Sequence, residues 1–297
     1  MLRRRAGRGE GPRDRSDRRR PHPAVRRPRG RARSVGGARV LKAVDIAHHA
    51  HGVVAAGSAE ATVSSWAFDS RTLTRGACFA ALRGERDGRD FVPAAFAAGA
   101  SVALVSQKRD VEPPPGAALV RVDDVLRRLQ DLARTARAAR SELRVVGVAG
   151  STGKTSTKDL LDTPSRAAVL VAEMGERFPG DIALLCDIAR PDVGVVTNVG
   201  LAHAEHLGGE RGAAQAMNEL LRSLPPGGVA VLNADDPWTP SLRAAGGVTV
   251  VTAGAAENAD YRIEDLQLDD ELHPSFALAG RRVVVPLLGE HQAHNAA

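Results

Sequence analysis

The sequence predicts an α/β fold, with a small α/β unit followed by a second unit built on a mostly parallel sheet. Three observations carry this prediction. Short apolar runs typical of buried strands alternate with helical patterns, this alternation begins near Val40, and a glycine-rich turn joins a strand to a helix at residues 150–153. Hydrophobic residues make up 43% of the 297 residues and aromatic residues only 3%, so the cores must consist of Val, Leu, Ile and Ala.

Residues 1–39 form an Arg-, Pro- and Gly-rich extension that we expect to be disordered, because it has too few apolar side chains to build a core. The segment holds 15 arginines, no lysine and three acidic residues, a formal charge of +12, whereas the rest of the chain carries −6. A nucleic-acid-binding arm is one interpretation, and an unstructured extension or translated upstream sequence is the other. The acidic remainder offers no nucleic-acid face.

The first unit, residues 40–121, is expected to be a small α/β domain. Its predicted elements are a strand-like start and a short helix near Val44–His51, a strand in Thr62–Phe68, a buried strand at Ala77–Leu82, a helix over Phe91–Gly99, and strands at Val102–Val105 and Leu119–Val122. Residues 122–142 follow as a connecting helix. Asp123 is expected to cap it, and Val125, Leu129 and Leu132 recur near the helical period.

The second unit, residues 143–297, repeats the alternation of strands and helices. The predicted strands are Val145–Val148, Val169–Ala172, Val193–Asn198, Val229–Asn233 and Val248–Val251. One predicted helix starts at Thr155, and two others span Ile182–Ile188 and Ala213–Ser223. Pro191 is expected to end the second of these helices. Such alternation implies parallel strands with helices on both faces of the sheet.

The stretch GVAGSTGKTSTK at residues 147–158 predicts a phosphate-binding loop. Gly150 and Gly153 permit a tight turn whose N–H groups point at phosphate oxygens, and the following helix adds its positive N-terminal end. Lys154 can reach the β- and γ-phosphates, and the Thr155 hydroxyl can hold Mg²⁺. The nucleotide-binding residues are therefore predicted to be Gly150, Ser151, Thr152, Gly153, Lys154, Thr155 and Ser156. Because the match is the short form GxxGKT, a plain turn is the alternative.

The two cysteines, Cys78 and Cys186, have no CxxC spacing, which fits a reducing compartment and predicts neither a disulfide framework nor a zinc site. No apolar run reaches the ~18–20 residues of a membrane span. The N-terminus has no apolar core of a secretory signal. We therefore expect a cytoplasmic protein with no membrane partner.

Further motifs follow in a fixed order along the chain. They read DSRTLTRGACFAALRGERDGRDF at 69–91, EMG at 173–175, PDVGVVTNVGLAHAEHLGG at 191–209, LNADDP at 232–237 and GEHQAHN at 289–295. With the phosphate loop, this ordered set closely resembles the Mur ligases of peptidoglycan synthesis over about residues 40–297. The GSxGKTxTK form of the loop and the EMG triplet are most similar to the members that add D-alanyl-D-alanine to UDP-N-acetylmuramoyl-tripeptide.

The resemblance implies an ATP- and Mg²⁺-dependent ligase that activates a carboxylate as an acyl phosphate, which the amine of the second substrate displaces. It implies UDP-N-acetylmuramoyl-tripeptide and D-alanyl-D-alanine as substrates, no nucleic acid, and a monomer. By the same resemblance Lys154, Glu173 and His203 are catalytic. Thr155, Glu173 and His203 are metal ligands: Thr155 would hold one Mg²⁺ with the phosphates, and Glu173 and His203 would hold a second Mg²⁺ between the γ-phosphate and the substrate carboxylate. Without the resemblance, His203 would be read as an ordinary loop histidine.

The resemblance also assigns binding residues at both ends of the chain. Asn295 would hold adenine, although an Asn in this place could equally cap a helix. Ser70, Arg71 and Asp87 would bind the UDP-sugar, with Arg71 on the pyrophosphate, whereas a surface turn is the alternative. Asn233 and the Asp235-Asp236 pair are expected to form a turn and also to lie near the nucleotide.

Four departures from the family pattern qualify these expectations. Glu173 follows Lys154 by only 19 positions, which leaves room for a minimal crossover between the two strands. Met217 stands where relatives carry a metal-supporting Lys, and Arg89 stands where they usually carry His. The sequence ends at Ala297. We therefore expect the C-terminal Rossmann-like domain of the family to be absent, and little ligase turnover from the 297-residue chain.

Three functions remain open on the sequence. The first is a ligase of this family, either the one described or another member. The second is an inactive or truncated paralogue that only binds nucleotide or UDP-sugar. The third is a P-loop nucleotide switch with a basic nucleic-acid arm. The sequence argues against this function, because it has no clear apolar run that ends in Asp.

Overall fold

The computed structural model describes residues 41–106, 111–161, 169–200 and 204–297. The predicted disorder of residues 1–39 therefore lies outside the described residues. In the described ranges the protein has a five-stranded sheet, an eight-stranded sheet and a two-stranded ribbon. The predicted α/β class, with mostly parallel sheets, is confirmed.

The first sheet is built from residues 53–122. The elements in chain order are β1 (Leu41–Lys42), α1 (Ala43–His49), β2 (Val53–Gly57), β3 (Thr62–Val63), β4 (Ser65–Ala67), β5 (Ala77–Ala80), a 3₁₀ helix (Gly88–Phe91), α2 (Val92–Ala97), β6 (Val102–Ser106) and β7 (Ala118–Val122). The order across the sheet is β2-β7-β6-β5-β4, and all neighbours are parallel except β2 and β7. The strand predicted over Thr62–Phe68 was wrong in extent, because β3 pairs with β1 in the ribbon while β4 joins the sheet.

Apolar side chains cover both faces of this sheet. On one face Ile46 of α1 packs with Val102, Leu104 and Val120, and on the other Phe79 packs with Val92 and Phe96 of α2. The central strands β5 and β6 are almost entirely buried, as expected for parallel strands with cover on two sides.

The connecting helix α3 spans Val125–Ala138, inside the predicted segment 122–142. Asp124, not Asp123, is its N-cap, because the Asp124 carboxylate accepts a hydrogen bond from the N–H of Arg127 at 2.9 Å. Asp123 instead accepts from the N–H of Asp124 and from the guanidinium of Arg128. Two adjacent aspartates make either assignment possible from the sequence alone.

The second sheet is built from residues 144–284. Its elements are β8 (Arg144–Ala149), α4 (Lys154–Leu161), β9 (Val169–Glu173), α5 (Asp181–Ala189), β10 (Val193–Val196), α6 (Ala204–Leu207), α7 (Glu210–Arg222), β11 (Val229–Asn233), a 3₁₀ helix (Thr239–Ser241), β12 (Thr249–Gly254), β13 (Tyr261–Leu268), β14 (Pro274–Leu278), β15 (Arg281–Val284) and α8 (His291–Ala296). The order is β15-β14-β13-β12-β11-β10-β8-β9. The strands β8 to β13 are parallel, and β13 to β15 form an antiparallel extension.

The core under this sheet lies between its strands and the helices α5 and α7. Met217, Leu220 and Leu221 of α7 pack with Ile182 of α5 and Ala230 of β11. The strands β13 to β15 were not predicted, because Tyr261, Glu264 and Arg281 are exposed and give no continuous apolar run. They carry a smaller core of their own around Ile263 and Phe276.

The short interval between Lys154 and Glu173 is long enough for a crossover. Strand β9 pairs directly with β8 in parallel, with Arg144 opposite Val169 and Val148 opposite Glu173. Residues 162–168, which hold part of this connection, lie outside the described residues. In the part of the chain that the structure describes, no helix is long and apolar enough to cross a membrane.

Helix α3 is fastened to the second sheet by polar contacts. The Arg137 guanidinium donates to the carbonyl of Ala189 at 2.8 Å and to that of Arg190 at 3.2 Å, where α5 ends. The Asp192 carboxylate accepts from the N–H of buried Val145 at 2.8 Å, and its Oδ2 lies 3.7 Å from Arg137. Asp192 thereby joins the start of β8 to the start of β10.

Replacing Asp192 by Ala is expected to lower the free energy of unfolding by about 1–3 kcal/mol, because the buried N–H of Val145 loses its acceptor. Urea denaturation measures the change. Asp192→Asn keeps the acceptor oxygen and should cost less. Asp187→Ala removes an exposed partner of Arg134 and should cost less than about 1 kcal/mol. Equal losses in the Asp192 and Asp187 variants would contradict the assignment.

Candidate functional site

The predicted phosphate loop connects the end of β8 at Ala149 to the start of α4 at Lys154. Gly150 has φ +138° and Gly153 has φ +80°, conformations that a side chain rarely adopts. A Cβ on Gly150 would overlap the Thr197 hydroxyl, and one on Gly153 would overlap the Asn295 amide oxygen. Both glycines are therefore required by the backbone and by the close approach of two other segments.

The residues that follow β10 hold the loop in place. The N–H of Thr152 donates to Asn198 Oδ1 at 3.0 Å, and Asn198 Nδ2 donates back to Thr152 Oγ1 at 2.7 Å. Thr197 donates its hydroxyl to the Thr152 carbonyl at 2.5 Å, and Ser151 Oγ accepts from the N–H of Gly200 at 2.7 Å. Sequence reasoning did not assign Thr197 or Asn198 to the site, although a Thr-Asn pair directly after a parallel strand is a signal that could have found them.

The Lys154 ammonium lies inside the loop. It donates to the carbonyl of Gly150, and its Nζ lies 3.7 Å from Oε2 of Glu176. The Glu176 side chain is fully buried, at 0% exposure, and the Lys154 side chain is 15% exposed. Glu176 is a further residue of this site that the sequence did not single out.

Thr155 and Glu173 lie in direct contact. The Thr155 hydroxyl donates to Glu173 Oε2 at 2.8 Å, at the end of β9. A hydroxyl and a carboxylate at this distance are two hard oxygen donors, the kind that Mg²⁺ prefers, so these residues fit the predicted cation. His203, the third predicted metal ligand, lies outside the described residues. Among the described residues, no cluster of three or more His, Cys, Asp or Glu side chains could hold a metal ion.

The loop after β11 ties the site to the far end of the chain. Asp236 is buried and accepts from the N–H of Val199 at 2.6 Å, which fixes the segment that follows β10. Asp235 accepts from the N–H groups of Ala255 and Ala256, and its Oδ2 lies 3.0 Å from Nδ1 of His294 on α8. The predicted turn is thus found, while closeness of these residues to the nucleotide stays a prediction.

Asn295 lies beside the phosphate loop. Its carbonyl accepts from the Thr157 hydroxyl at 3.3 Å, and its amide group donates to Gln292 at 3.0 Å. A cavity of about 310 Å³ is bounded by Thr157, Asn233, His294 and Asn295, and by valines of β8, β10 and β11. The structure therefore brings Asn233 and Asn295 to one cavity, while adenine binding by Asn295 stays a prediction.

The first sheet carries two arginine pairs after neighbouring strands. Arg71 contacts Asp69 through its N–H, Nε and Nη2, and these hydrogen bonds lower the pKa of Asp69 to about 2. Arg89 contacts Asp87 in the same way and lowers the pKa of that carboxylate. The Arg71 side chain is 85% exposed, whereas Arg89 is mostly buried.

The structure gives these predicted substrate residues different surroundings. Asp87 accepts from the N–H of Arg89 as the N-cap of the 3₁₀ helix, so its carboxylate is already engaged within its own loop. Ser70 lies between Asp69 and Arg71, just after the C-terminal end of β4, and is partly exposed. Parallel pairing of β4 and β5 places both arginine pairs at one edge of the sheet. Their role in substrate binding stays a prediction.

Met217 lies on α7 and is fully buried in the core of the second sheet, in the same cluster as Leu220 and Cys186. A thioether there provides no hard oxygen for a cation, as the sequence predicted. Burial raises the pKa of the Cys186 thiol to about 11, so this cysteine is an apolar core residue and not a nucleophile.

Two family profiles match the chain. The profile described as Mur ligase family, catalytic domain, matches residues 62–140, and the Mur ligase middle domain matches residues 161–297. The phosphate loop lies between the two matched ranges.

Curated relatives agree with these profiles. UDP-N-acetylmuramoyl-tripeptide–D-alanyl-D-alanine ligase of Bacillus subtilis is 35% identical over 264 residues, covering 77% of this chain and 56% of that protein. The ligase of the same name from Mycobacterium tuberculosis H37Rv is 34% identical over 279 residues, covering 77% and 55%. The chain thus spans about half the length of the curated relatives it matches.

Solved structures also match. MurF from Acinetobacter baumannii superposes with a TM-score of 0.72 at 26% identity, covering 86% of this chain and 62% of that one. MurF ligase from Thermotoga maritima, in complex with ADP, gives a TM-score of 0.61 at 27% identity, covering 78% and 61%.

Gly150→Ala is expected to lower the free energy of unfolding by about 2–3 kcal/mol, because a Cβ at positive φ would also overlap the Thr197 hydroxyl. Gly175→Ala is the matched control, since a Cβ there meets nothing within 4 Å and should change stability by less than about 0.5 kcal/mol. Urea denaturation of the two variants provides the comparison. A Gly150 variant as stable as the Gly175 variant would show that the loop has a different conformation.

Proposed function

This chain belongs to the Mur ligase family, and from this premise we propose that it acts as an ATP-dependent ligase that joins D-alanyl-D-alanine to UDP-N-acetylmuramoyl-tripeptide in peptidoglycan precursor synthesis. One observation carries the proposal most directly. The P-loop lysine lies beside a hydroxyl–carboxylate pair, Thr155 and Glu173, at the carboxyl edge of a parallel sheet. The names of the relatives supply the substrates.

The loop suits the phosphates of ATP. Positive φ at Gly150 and Gly153 allows its backbone N–H groups to face an anion, and the N-terminus of the eight-residue helix α4 adds a favourable dipole. Lys154 supplies a point charge in a mostly buried position. These groups would bind the phosphates and hold the γ-phosphate toward the substrate carboxylate.

Thr155 would hold the Mg²⁺ of the nucleotide, and Glu173 would hold a second Mg²⁺ with His203 as a proposed further ligand. When bound, the second cation would neutralise charge between the γ-phosphate and the substrate carboxylate, two anions that otherwise repel. Asn295 would contact adenine beside the loop. The 2.8 Å contact between Thr155 and Glu173 supports two neighbouring cation positions at the end of β9.

We place the UDP-sugar at the carboxyl edge of the first sheet. Asp69 engages Nε and Nη2 of Arg71 and so fixes one edge of the guanidinium, while the side chain remains largely exposed. A guanidinium held on one edge can offer the other to a pyrophosphate in bidentate form. Ser70 is the adjacent hydroxyl, and Asp87 would act through the loop that it caps.

The buried Met217 favours keeping a second candidate, an inactive paralogue that binds nucleotide without turnover. Measuring both properties separates the two. Purified protein with MgATP, UDP-N-acetylmuramoyl-tripeptide and D-alanyl-D-alanine should release phosphate and form the UDP-pentapeptide, detected by mass spectrometry, but with slow turnover, because Met217 offers no group that supports a cation. Nucleotide binding without product supports the paralogue, and no binding of either nucleotide or UDP-sugar would refute both candidates. Use of cytosolic ATP implies the cytoplasm, and we expect a monomer.

Lys154→Ala is expected to weaken ADP binding by about 10- to 100-fold, because a charge-assisted contact to phosphate is worth about 1.5–3 kcal/mol. Isothermal titration calorimetry provides the measurement. Lys42→Ala removes the same charge from an exposed pair in the other part of the chain and is the control. Unchanged ADP affinity in the Lys154 variant would mean that the loop is a structural turn.

Arg71→Met is expected to weaken UDP binding about tenfold, through loss of the pyrophosphate contact. Asp69→Asn should weaken it less, because the guanidinium remains but is no longer held by a carboxylate. Arg75→Met, an exposed arginine of the same segment, should leave the affinity unchanged. The hypothesis fails if the Arg71 and Arg75 variants bind UDP equally well in a calorimetric titration.

A further inference from the structure

Lys154 contacts two groups of the protein itself. Its ammonium contacts the carbonyl of Gly150 and lies 3.7 Å from the carboxylate of Glu176. The Glu176 side chain has no exposed surface, and a buried carboxylate is costly unless a positive charge accompanies it. The two side chains therefore form a mostly buried ion pair at the centre of the phosphate loop.

The backbone explains why Glu176 reaches the loop. Strand β9 lies next to β8, so the residues after β9 leave the sheet beside the residues after β8. Met174 enters the core at 1% exposure, Glu173 contacts Thr155, and Glu176 contacts Lys154. The segment 173–176 thus supplies two carboxylates to adjacent residues of the loop, and the proposed reaction uses only the first.

We propose that Glu176 is a competing counterion of Lys154, which occupies the ammonium in the free protein and must yield it to the phosphates of the nucleotide. This inference rests on the proposed function, because it concerns the same loop. A phosphate that approaches Lys154 also approaches a buried negative charge, and the repulsion is weakly screened there. Glu176 therefore lowers the affinity for a bare nucleotide and favours a nucleotide whose charge is partly neutralised by a cation.

A competing role and a purely structural role of Glu176 predict opposite changes in ADP affinity when its charge is removed. If Glu176 only supported the fold of the loop, Glu176→Gln would weaken ADP binding. If it competes for Lys154, Glu176→Gln should tighten binding of ADP without Mg²⁺, because the ammonium is released and the repulsion is gone. The improvement in affinity on adding Mg²⁺ should also become smaller than in the unmodified chain.

The experiment is calorimetric titration of ADP into the unmodified chain and Glu176→Gln, in EDTA and in excess MgCl₂. We expect about tenfold tighter ADP binding by Glu176→Gln in EDTA, and a smaller difference in MgCl₂. Asp181→Asn is the matched control. It removes one charge at the start of α5 while keeping an acceptor for the N–H groups of Arg177 and Phe178, and it should bind ADP as the unmodified chain does.

Variants that lack Lys154 test whether Glu176 changes the ADP affinity through this lysine. In Lys154→Gln, the additional change Glu176→Gln should alter ADP affinity by less than twofold to threefold, since the contested ammonium is gone. If Glu176→Gln does not fold, as judged by its melting curve, Glu176→Asp takes its place. This variant keeps the charge but shortens its reach by one methylene, and it should give a smaller tightening.

Three results would overturn the inference. Weaker or unchanged ADP binding by Glu176→Gln in EDTA, with normal binding by the unmodified chain, would refute the competing role and leave the proposed function intact. An absence of ADP binding in every variant and in the unmodified chain would refute both. An equal effect of Glu176→Gln in the Lys154→Gln background would show that Glu176 does not act through the lysine.

Discussion

Parallel pairing of β8 with β10 is the constraint on which the site depends. The register places Ala149 opposite Val196, so the two strands end at the same level and their loops leave the sheet side by side. Asn198 is then within reach of Thr152, and Thr197 is within reach of the carbonyls of Ala149 and Thr152. A shift in this register would separate the phosphate loop from the segment that holds it. The same argument applies to β9, whose end brings Glu173 and Glu176 to the other side of the loop.

The fold was predictable where the sequence contains buried parallel strands, because such strands are short, continuous apolar runs with little ambiguity. Strands β8, β10 and β11 begin and end within about two residues of their predicted positions. Strands β13 to β15 escaped prediction, because an antiparallel extension with exposed charged residues lacks that pattern. The capping residue of α3 was misplaced by one position, since two adjacent aspartates are equivalent until the backbone angles are known.

The site was predictable to the extent that its residues lie in sequence motifs. Lys154 and Thr155 follow from the loop pattern, and Glu173 follows from the family resemblance of the EMG triplet. Glu176 and Asn198 did not follow, because their roles arise from the adjacency of β9 and β10 to β8, and adjacency in a sheet is not encoded by local periodicity. Composition likewise gives no hint that a carboxylate three residues after Glu173 is buried against the lysine.

The packing of α8 against the phosphate loop has a consequence for the order in which the protein folds. Thr157 and Asn295 are hydrogen-bonded across 138 positions, and the bare backbone of Gly153 fits directly against the Asn295 amide. Contacts of such large sequence separation form late, because the entropy of closing the intervening chain must first be overcome. The strand and helix that flank the loop can form locally, but its final shape must wait for residues near position 295. During synthesis on the ribosome, the phosphate loop would therefore reach its final conformation only after the residues near position 295 had emerged. A nascent chain without these residues would bind nucleotide weakly.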